Sequence, residues 1–168
     1  LSKLNRCPIF FQEWCNLLFL HWKIEPEIIR PMIPDSLSID TFNNSAWIGI
    51  IPFQMKKLRP IFLPSLNCIS NFTEINLRTY VIDRHNRKGV WFFSLDTQNS
   101  FGNWIAQKLF HLNYRFAKTE FKTDSFSKHS CSVLYPNSKI DEQRFKWRDS
   151  KTVFMPSSHP DSLEFFLT

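Results

Sequence analysis

Glu74, Asn76, Arg78 and Tyr80 place a carboxylate, an amide, a guanidinium and a phenol at alternate positions of the segment Phe72 to Asp96. Side chains of an extended strand alternate, so these four share one face while Ile75, Leu77, Thr79 and Val81 share the other. A carboxylate held in apolar surroundings is raised in pKa and becomes a general acid or base. A guanidinium grips a ligand carboxylate in a bidentate fork. Such a face is either wet surface or the wall of a polar cavity; in a cavity Glu74 is the candidate catalytic residue, with Arg78 and Asn76 as ligand contacts. The competing expectation is an internal ion pair between Glu74 and Arg78 that serves the fold alone. Tyr114 offers a hydroxyl to a bound carbonyl, and His21, between Leu20 and Trp22, is a partly buried histidine or a base. Asp96 is expected to cap a following helix or close an Asx-turn.

The elements that must position these groups follow from pattern. Gly89 to Asp96 returns after a polar turn at Arg84 to Lys88, and its apolar run predicts a strand covered on both faces, making the pair a central hairpin. Phe10 to Ile24 predicts an early strand. EIIRPMIP, bracketed by Pro26, Pro31 and Pro34, predicts a short helix presenting Ile28, Ile29 and Met32 to the core. Leu37 to Asp40 opens a strand, Asn43 to Ser45 a turn, and Ala46 to Phe53 a buried strand with a close backbone approach at Gly49. Residues 56 to 70, holding Pro60 and Pro64, read as a loop. Phe101, Trp104, Ile105, Leu109 and Leu112 have helical spacing, with Asn99 or Ser100 as N-cap. Lys118 to Lys122, Ser130 to Tyr135 and Arg144 to Trp147 read as short antiparallel strands, and Pro160 opens a last helix through Phe166. Trp14, Trp22, Trp47 and Trp91 are expected in the core.

Length and composition bound the function. A chain of 168 residues with 43% hydrophobic residues, 18 Phe and 6 Trp fits one folded domain over residues 1–168. Only 3 Gly are present, too few for a glycine-rich phosphate loop. The net charge of +6 is carried by bases interspersed with acids rather than by a block, so no nucleic-acid partner is expected. Cys7, Cys15, Cys68 and Cys131 form no metal-ligand spacing with the histidines; neither a metal nor a cofactor is expected, and free buried thiols suit a reducing, cytoplasmic setting. The run Leu17 to Trp22 is too short to span a bilayer, so no membrane partner is expected either.

WCNLLFLHWKIEP, LSIDTFNNSAWIGIIPFQMKKLRP, FTEINLRTYV, GVWFFSLD and SLEFFLT, in this order, resemble the YqjF-like family, domain of unknown function 2071, of the acetoacetate decarboxylase-like superfamily. The resemblance covers nearly the whole chain. It implies an α+β fold, mostly antiparallel β, a curved barrel-like sheet with flanking helices and a ligand cavity, and it places Glu74 where the superfamily puts a cavity carboxylate. Family members continue past SLEFFLT, so the chain is expected to lack its C-terminal part, and an opened sheet edge would then pair chains into a homo-oligomer. The decarboxylase branch uses a Schiff-base lysine from a proline and lysine pair after the helix. Here those positions hold Asn113, Tyr114 and Arg115, which form no imine; Lys118 is the nearest amine. The reading is a protein binding a small apolar carboxylate or carbonyl compound, with lyase or proton-transfer chemistry as one alternative and a non-enzymatic polar network as the other.

Overall fold

The computed structural model describes residues 10–62, 64, 70–99, 112–136, 138–139, 142–149, 159 and 162–167. The strands are β1 (Phe10–Cys15), β2 (Leu20–Ile24), β3 (Leu37–Ile39), β4 (Ala46–Pro60), β5 (Phe72–Asp83), β6 (Lys88–Thr97), β7 (Tyr114–Phe116), β8 (Lys118–Thr123), β9 (Lys128–Leu134) and β10 (Gln143–Arg148). Helix α1 (Pro26–Ile29) runs into a 3-10 turn at Arg30–Met32, and α2 covers Leu163–Leu167. A seven-stranded sheet has the order β1-β4-β5-β6-β7, with β2 also on β4 and β3 also on β5; a three-stranded sheet has the order β10-β9-β8. Every pairing is antiparallel except β6 with β7. The predominantly antiparallel fold expected from the sequence is present, but the described strands do not close into a barrel.

The hairpin β5–β6 lies at the middle of the large sheet. Direct cross-strand partners share a face, so Glu74 sits with Phe53 and Thr97, Asn76 with Ile51 and Leu95, and Arg78 with Gly49 and Phe92. His21 joins this face opposite Gly49, and Tyr114 joins it beside Leu95. One core cluster, Ile51, Phe53 and Met55, lies on this same face, and the other face carries two more. Ile29, Ile33, Ala46 and Val81 form one cluster with Ile48, Trp91 and Phe93 around it; Ile75, Ala117, Cys131 and Val133 form another, where the small sheet covers the large one.

Several expectations need correction. Phe10 to Ile24 is two strands, because the chain breaks at Asn16, whose φ of 53° takes the left-handed conformation that asparagine tolerates. In the short helix Ile29 is fully buried, whereas Ile28 is 58% and Met32 54% exposed, and Ile33 takes the second core position. Residues 56 to 60 are not loop: β4 continues to Pro60 against β1, kinked by a bulge where Lys57 has φ 54°. Strand β6 is covered only toward its C-terminal end; Val90 is exposed, because the short β7 pairs only with Leu95 to Thr97. Trp14 and Trp22 lie on outer strands and are exposed. The helix expected from Phe101 onward falls on residues 100–111, outside the described residues. The strands at 118–123, 128–134 and 143–148 and the helix through Phe166 are where the pattern put them.

Gly49 shows why its position excludes a side chain. A Cβ there would meet His21 Nε2 at 2.9 Å and Ile51 Cδ1 at 3.0 Å. Gly49→Ala is expected to destabilise the protein by about 1–3 kcal/mol in urea unfolding through overpacking. In a His21→Ala background the same substitution should cost measurably less, since the clashing ring is gone.

Candidate functional site

All four members of the polar row on β5 are buried: Glu74, Asn76, Arg78 and Tyr80. Glu74 is enclosed by Phe53 and Thr97 as cross-strand neighbours, and its Oε2 accepts a 3.1 Å hydrogen bond from the Tyr114 hydroxyl. Burial pushes the Glu74 carboxyl up to about 7; the Tyr114 hydrogen bond opposes this, and the negative charge of Asp96 adds to it. Burial, reinforced by Glu74, drives the Tyr114 phenol upward as well, so it remains a proton donor throughout the physiological range. The pair is a carboxyl group poised near neutrality with a fixed phenol beside it, the equipment for moving or sharing one proton with a bound oxygen.

Arg78 does not pair with Glu74. Four residues of strand separate their backbones by about 13 Å, and no ion pair joins them among the described residues. Arg78 Nη2 instead donates to Tyr80 Oη at 3.3 Å and to the Leu167 carbonyl at 3.5 Å. The Tyr80 hydroxyl spends its proton on that same carbonyl at 2.6 Å, so its 2.8 Å contact with His21 Nε2 is a bond in which the imidazole donates. Burial, then the Arg78 charge, lowers the His21 pKa, which keeps the ring neutral at pH 7. The Arg78 guanidinium also lies 5.7 Å from the Phe19 ring centroid and 5.6 Å from that of Tyr80. Two polar atoms in this row lack a hydrogen-bond partner: Arg78 Nε and Asn76 Oδ1.

The structure thus brings His21, Asn76, Arg78, Glu74 and Tyr114 onto one face, in two hydrogen-bonded groups with Asn76 between them. Tyr80 belongs with them as the hub of the Arg78 group. Lys118 does not join: it is exposed at the start of β8, while its neighbour Thr119 is the residue turned toward β5.

The opposite face holds a second polar group that pattern reading missed. Among the described residues Asp96 makes no cap or Asx-turn bond; it is buried and grips Arg115 through Nε–Oδ1 at 2.7 Å and Nη2–Oδ2 at 2.8 Å. Tyr135 donates to Asp96 Oδ2 at 2.7 Å, and burial followed by the Asp96 interaction pushes its phenol up to about 12. Ser94 accepts from Arg115 at 2.9 Å. These residues wall a cleft of about 300 Å³ between the two sheets, floored by Ile50, Ile75, Leu77 and Val133. Arg115 follows Tyr114 in a three-residue strand, so its bidentate grip on β6 also sets where the Tyr114 hydroxyl falls on the other face. The signal available in the sequence was the alternation of Tyr114 and Arg115 beside a lone buried-strand Asp96. Among the described residues no group of three metal-ligating side chains exists, and Cys131, fully buried, has its thiol pushed up to about 12 by burial.

Comparison with known proteins places this geometry. Residues 11–168 match the family model of domain of unknown function 2071, described as "Uncharacterized conserved protein". The chain is similar to the uncharacterized protein YqjF of Bacillus subtilis (strain 168), 33% identical over 165 residues, which are 95% of this chain and 64% of that protein. The chain therefore spans less than two thirds of the length of this curated relative. Among solved structures it resembles the enduracididine biosynthesis enzyme MppR complexed with pyruvate, at TM-score 0.59 and 9% identity over 85% of this chain and 58% of that one. It also resembles an acetoacetate decarboxylase, at TM-score 0.59 and 15% identity over 79% of this chain and 48% of that one. At these identities the structural likeness establishes the fold: acetoacetate decarboxylase-like.

Two outcomes follow from the geometry. A Glu74 carboxyl raised in the folded state contributes stability that is fully present below the unfolded value near 4.5 and is lost as pH rises toward about 7. Urea unfolding should show wild type losing about 3 kcal/mol across that window, and Glu74→Gln should flatten this part of the profile. Arg115→Met, which removes the grip on β6, should cost about 2 kcal/mol or more by stranding buried Asp96. It should also shift the pH at which the Glu74-dependent change occurs, because Tyr114 loses its fixed place.

Proposed function

The chain belongs to the domain of unknown function 2071 family with an acetoacetate decarboxylase-like fold, and from that premise we propose that the face bearing Glu74, Asn76 and Arg78 binds a small, largely apolar organic acid that also carries a carbonyl or hydroxyl oxygen. The observation that carries the proposal is Arg78: a buried guanidinium with no carboxylate partner among the described residues and with Nε unbonded. A buried cation without a counter-charge is costly, and a ligand carboxylate accepting from Nε relieves it.

The second half of the ligand is specified by the other group. Glu74, when protonated, offers one proton to an oxygen, since the Tyr114 hydroxyl spends its own on Glu74 Oε2, and Asn76 Oδ1 between them and Arg78 takes one from a ligand donor. Residues 74 and 78 lie about 13 Å apart along the strand, so even with long side chains converging, the two oxygen functions are best served by an acid with several carbons between them. Ile51, Phe53 and Leu95 supply the apolar wall against that body. The fold neighbours support an oxo acid as the class, since one is solved with pyruvate and others are acetoacetate decarboxylases. With Glu74 near neutrality, the chemistry on offer is proton transfer next to a carbonyl, as general acid when protonated and general base when ionised. Imine formation is not part of the proposal, because Lys118 is exposed in the small sheet.

One observation favours a non-enzymatic reading: Arg78 and Tyr80 both bond the Leu167 carbonyl and so tie α2 to β5. A single experiment separates the two. Thermal-shift measurements of the chain with medium-length oxo acids, hydroxy acids, aryl carboxylates and aldehydes should raise the melting temperature for at least one acid. Arg78→Ala should abolish that shift, and Glu74→Gln should reduce it by about tenfold in affinity, the loss of one charge-assisted bond. If no compound shifts the protein and Arg78→Ala only lowers the melting temperature, the row is structural.

A further inference from the structure

We propose that the outward face of the β8–β9–β10 sheet is a docking surface for the headgroup plane of an anionic membrane. The inward face of this sheet packs Cys131, Val133, Phe121, Phe145 and Trp147 against the large sheet. Alternation sends the intervening residues outward, and the register lines them up: Lys122, Ser130 and Lys146 in one row, Lys128 and Arg148 in the next, Glu120, Ser132 and Arg144 on the other side, and Lys118 beside Leu134. All six bases of these rows are exposed. In the sequence they are scattered over residues 118–148 among acids. The sheet gathers them onto one side.

Among the described residues, the carboxylates within reach are already engaged. Glu120 pairs with Lys122 at 3.0 Å and Glu142 with Arg144 at 2.9 Å. Asp149 contacts His129, which belongs to the inward face, and Asp124 at the β8–β9 turn bonds the backbone N–H of Phe126 and Lys128, lending Lys128 and Arg148 only a through-space attraction. Lys118, Lys128, Lys146 and Arg148 have no ion-pair partner among the described residues. Lys128 and Arg148 are also direct cross-strand neighbours, an arrangement that costs stability in isolation and is relieved by an anionic partner.

The shape decides which anion. Lys122, Lys128, Lys146 and Arg148 line a broad, open concavity of about 660 Å³ walled by His129 and Trp147, with none of the projecting helix that enters a nucleic-acid groove. Phe126, 75% exposed, stands at the turn that borders it. A broad basic hollow edged by an aromatic tip matches a lipid interface, where headgroups seated in the hollow supply the charge and the ring enters the interfacial layer. The small-molecule site lies on the far face of the large sheet, so this surface is independent of it.

Co-sedimentation of the full chain with vesicles of phosphatidylcholine alone or mixed with phosphatidylserine tests the assignment. The chain should bind the mixed vesicles at low salt, release at high salt, and ignore phosphatidylcholine alone. Lys128→Gln, Lys146→Gln and Arg148→Gln should each weaken binding about fivefold, with melting temperatures no lower than wild type. A control carrying Lys23→Gln, Lys56→Gln and Arg84→Gln, on other exposed strands and turns, should bind as wild type does. Equal weakening in that control would reduce the effect to net charge and overturn the proposal, as would absence of binding to the mixed vesicles. Tighter binding to a mixed-sequence nucleic-acid duplex than to the vesicles would overturn it in favour of nucleic acid.

Discussion

A twelve-residue strand covered on both faces must satisfy every polar side chain it carries without bulk water, and β5 carries Glu74, Asn76, Arg78 and Tyr80 on one side of its course. This constraint organises the large sheet. Phe53 and Thr97 flank Glu74, so its carboxyl is driven toward neutrality and needs a donor, which Tyr114 provides. Arg78 takes Tyr80 and the Leu167 carbonyl as partners, and Gly49 leaves room for His21 to complete that group. Two atoms of the row, Arg78 Nε and Asn76 Oδ1, are left without a partner.

The two faces of the sheet are coupled through one short strand. Tyr114 and Arg115 are consecutive, so alternation gives one to the Glu74 face and the other to the Asp96 face. Three residues of parallel pairing hold weakly by themselves; the bidentate Arg115–Asp96 contact, with Tyr135 and Ser94 around it, anchors them. An ion pair on one side of the sheet thus fixes a proton donor on the other. Asp96 reaches Glu74 electrostatically as well, adding to the rise of its carboxyl.

Charge follows the same logic of sheet alternation on the smaller sheet. Cys131, Val133 and Phe145 are drawn inward by hydrophobic burial. The residues between them are forced outward whatever their sign, and here most of them are bases. A charge distribution that is unremarkable along the chain becomes one-sided in space because the period of the strand is two.

The sequence by itself determined the strands whose pattern is strongly periodic and the chemistry each could present. β5, β6, the three short strands of the small sheet, the turn at Asn43 to Ser45 and the tight approach at Gly49 were all legible, since alternation, turn residues and the absence of a side chain act locally. So was the alignment of Glu74, Asn76, Arg78 and Tyr80, which needs only the geometry of one strand. What only the tertiary structure decided were the partners. The Glu74–Arg78 ion pair, one of the two competing expectations, failed because two residues on one face can still be too far apart; Tyr80, two residues on, and the Leu167 carbonyl, remote in sequence, took Arg78 instead. Asp96 looked like a cap because local hydrogen bonding was all the sequence could show; the guanidinium that claims it comes from a strand added in parallel, a long-range pairing. Ile28 and Met32 were assigned inward by composition, yet the path of the chain through Arg30, whose guanidinium ties the carbonyls of Ile33, Pro34 and Leu37, turned them outward. Side-chain type and local period are properties of the sequence, whereas distance and burial are properties of the packed sheets.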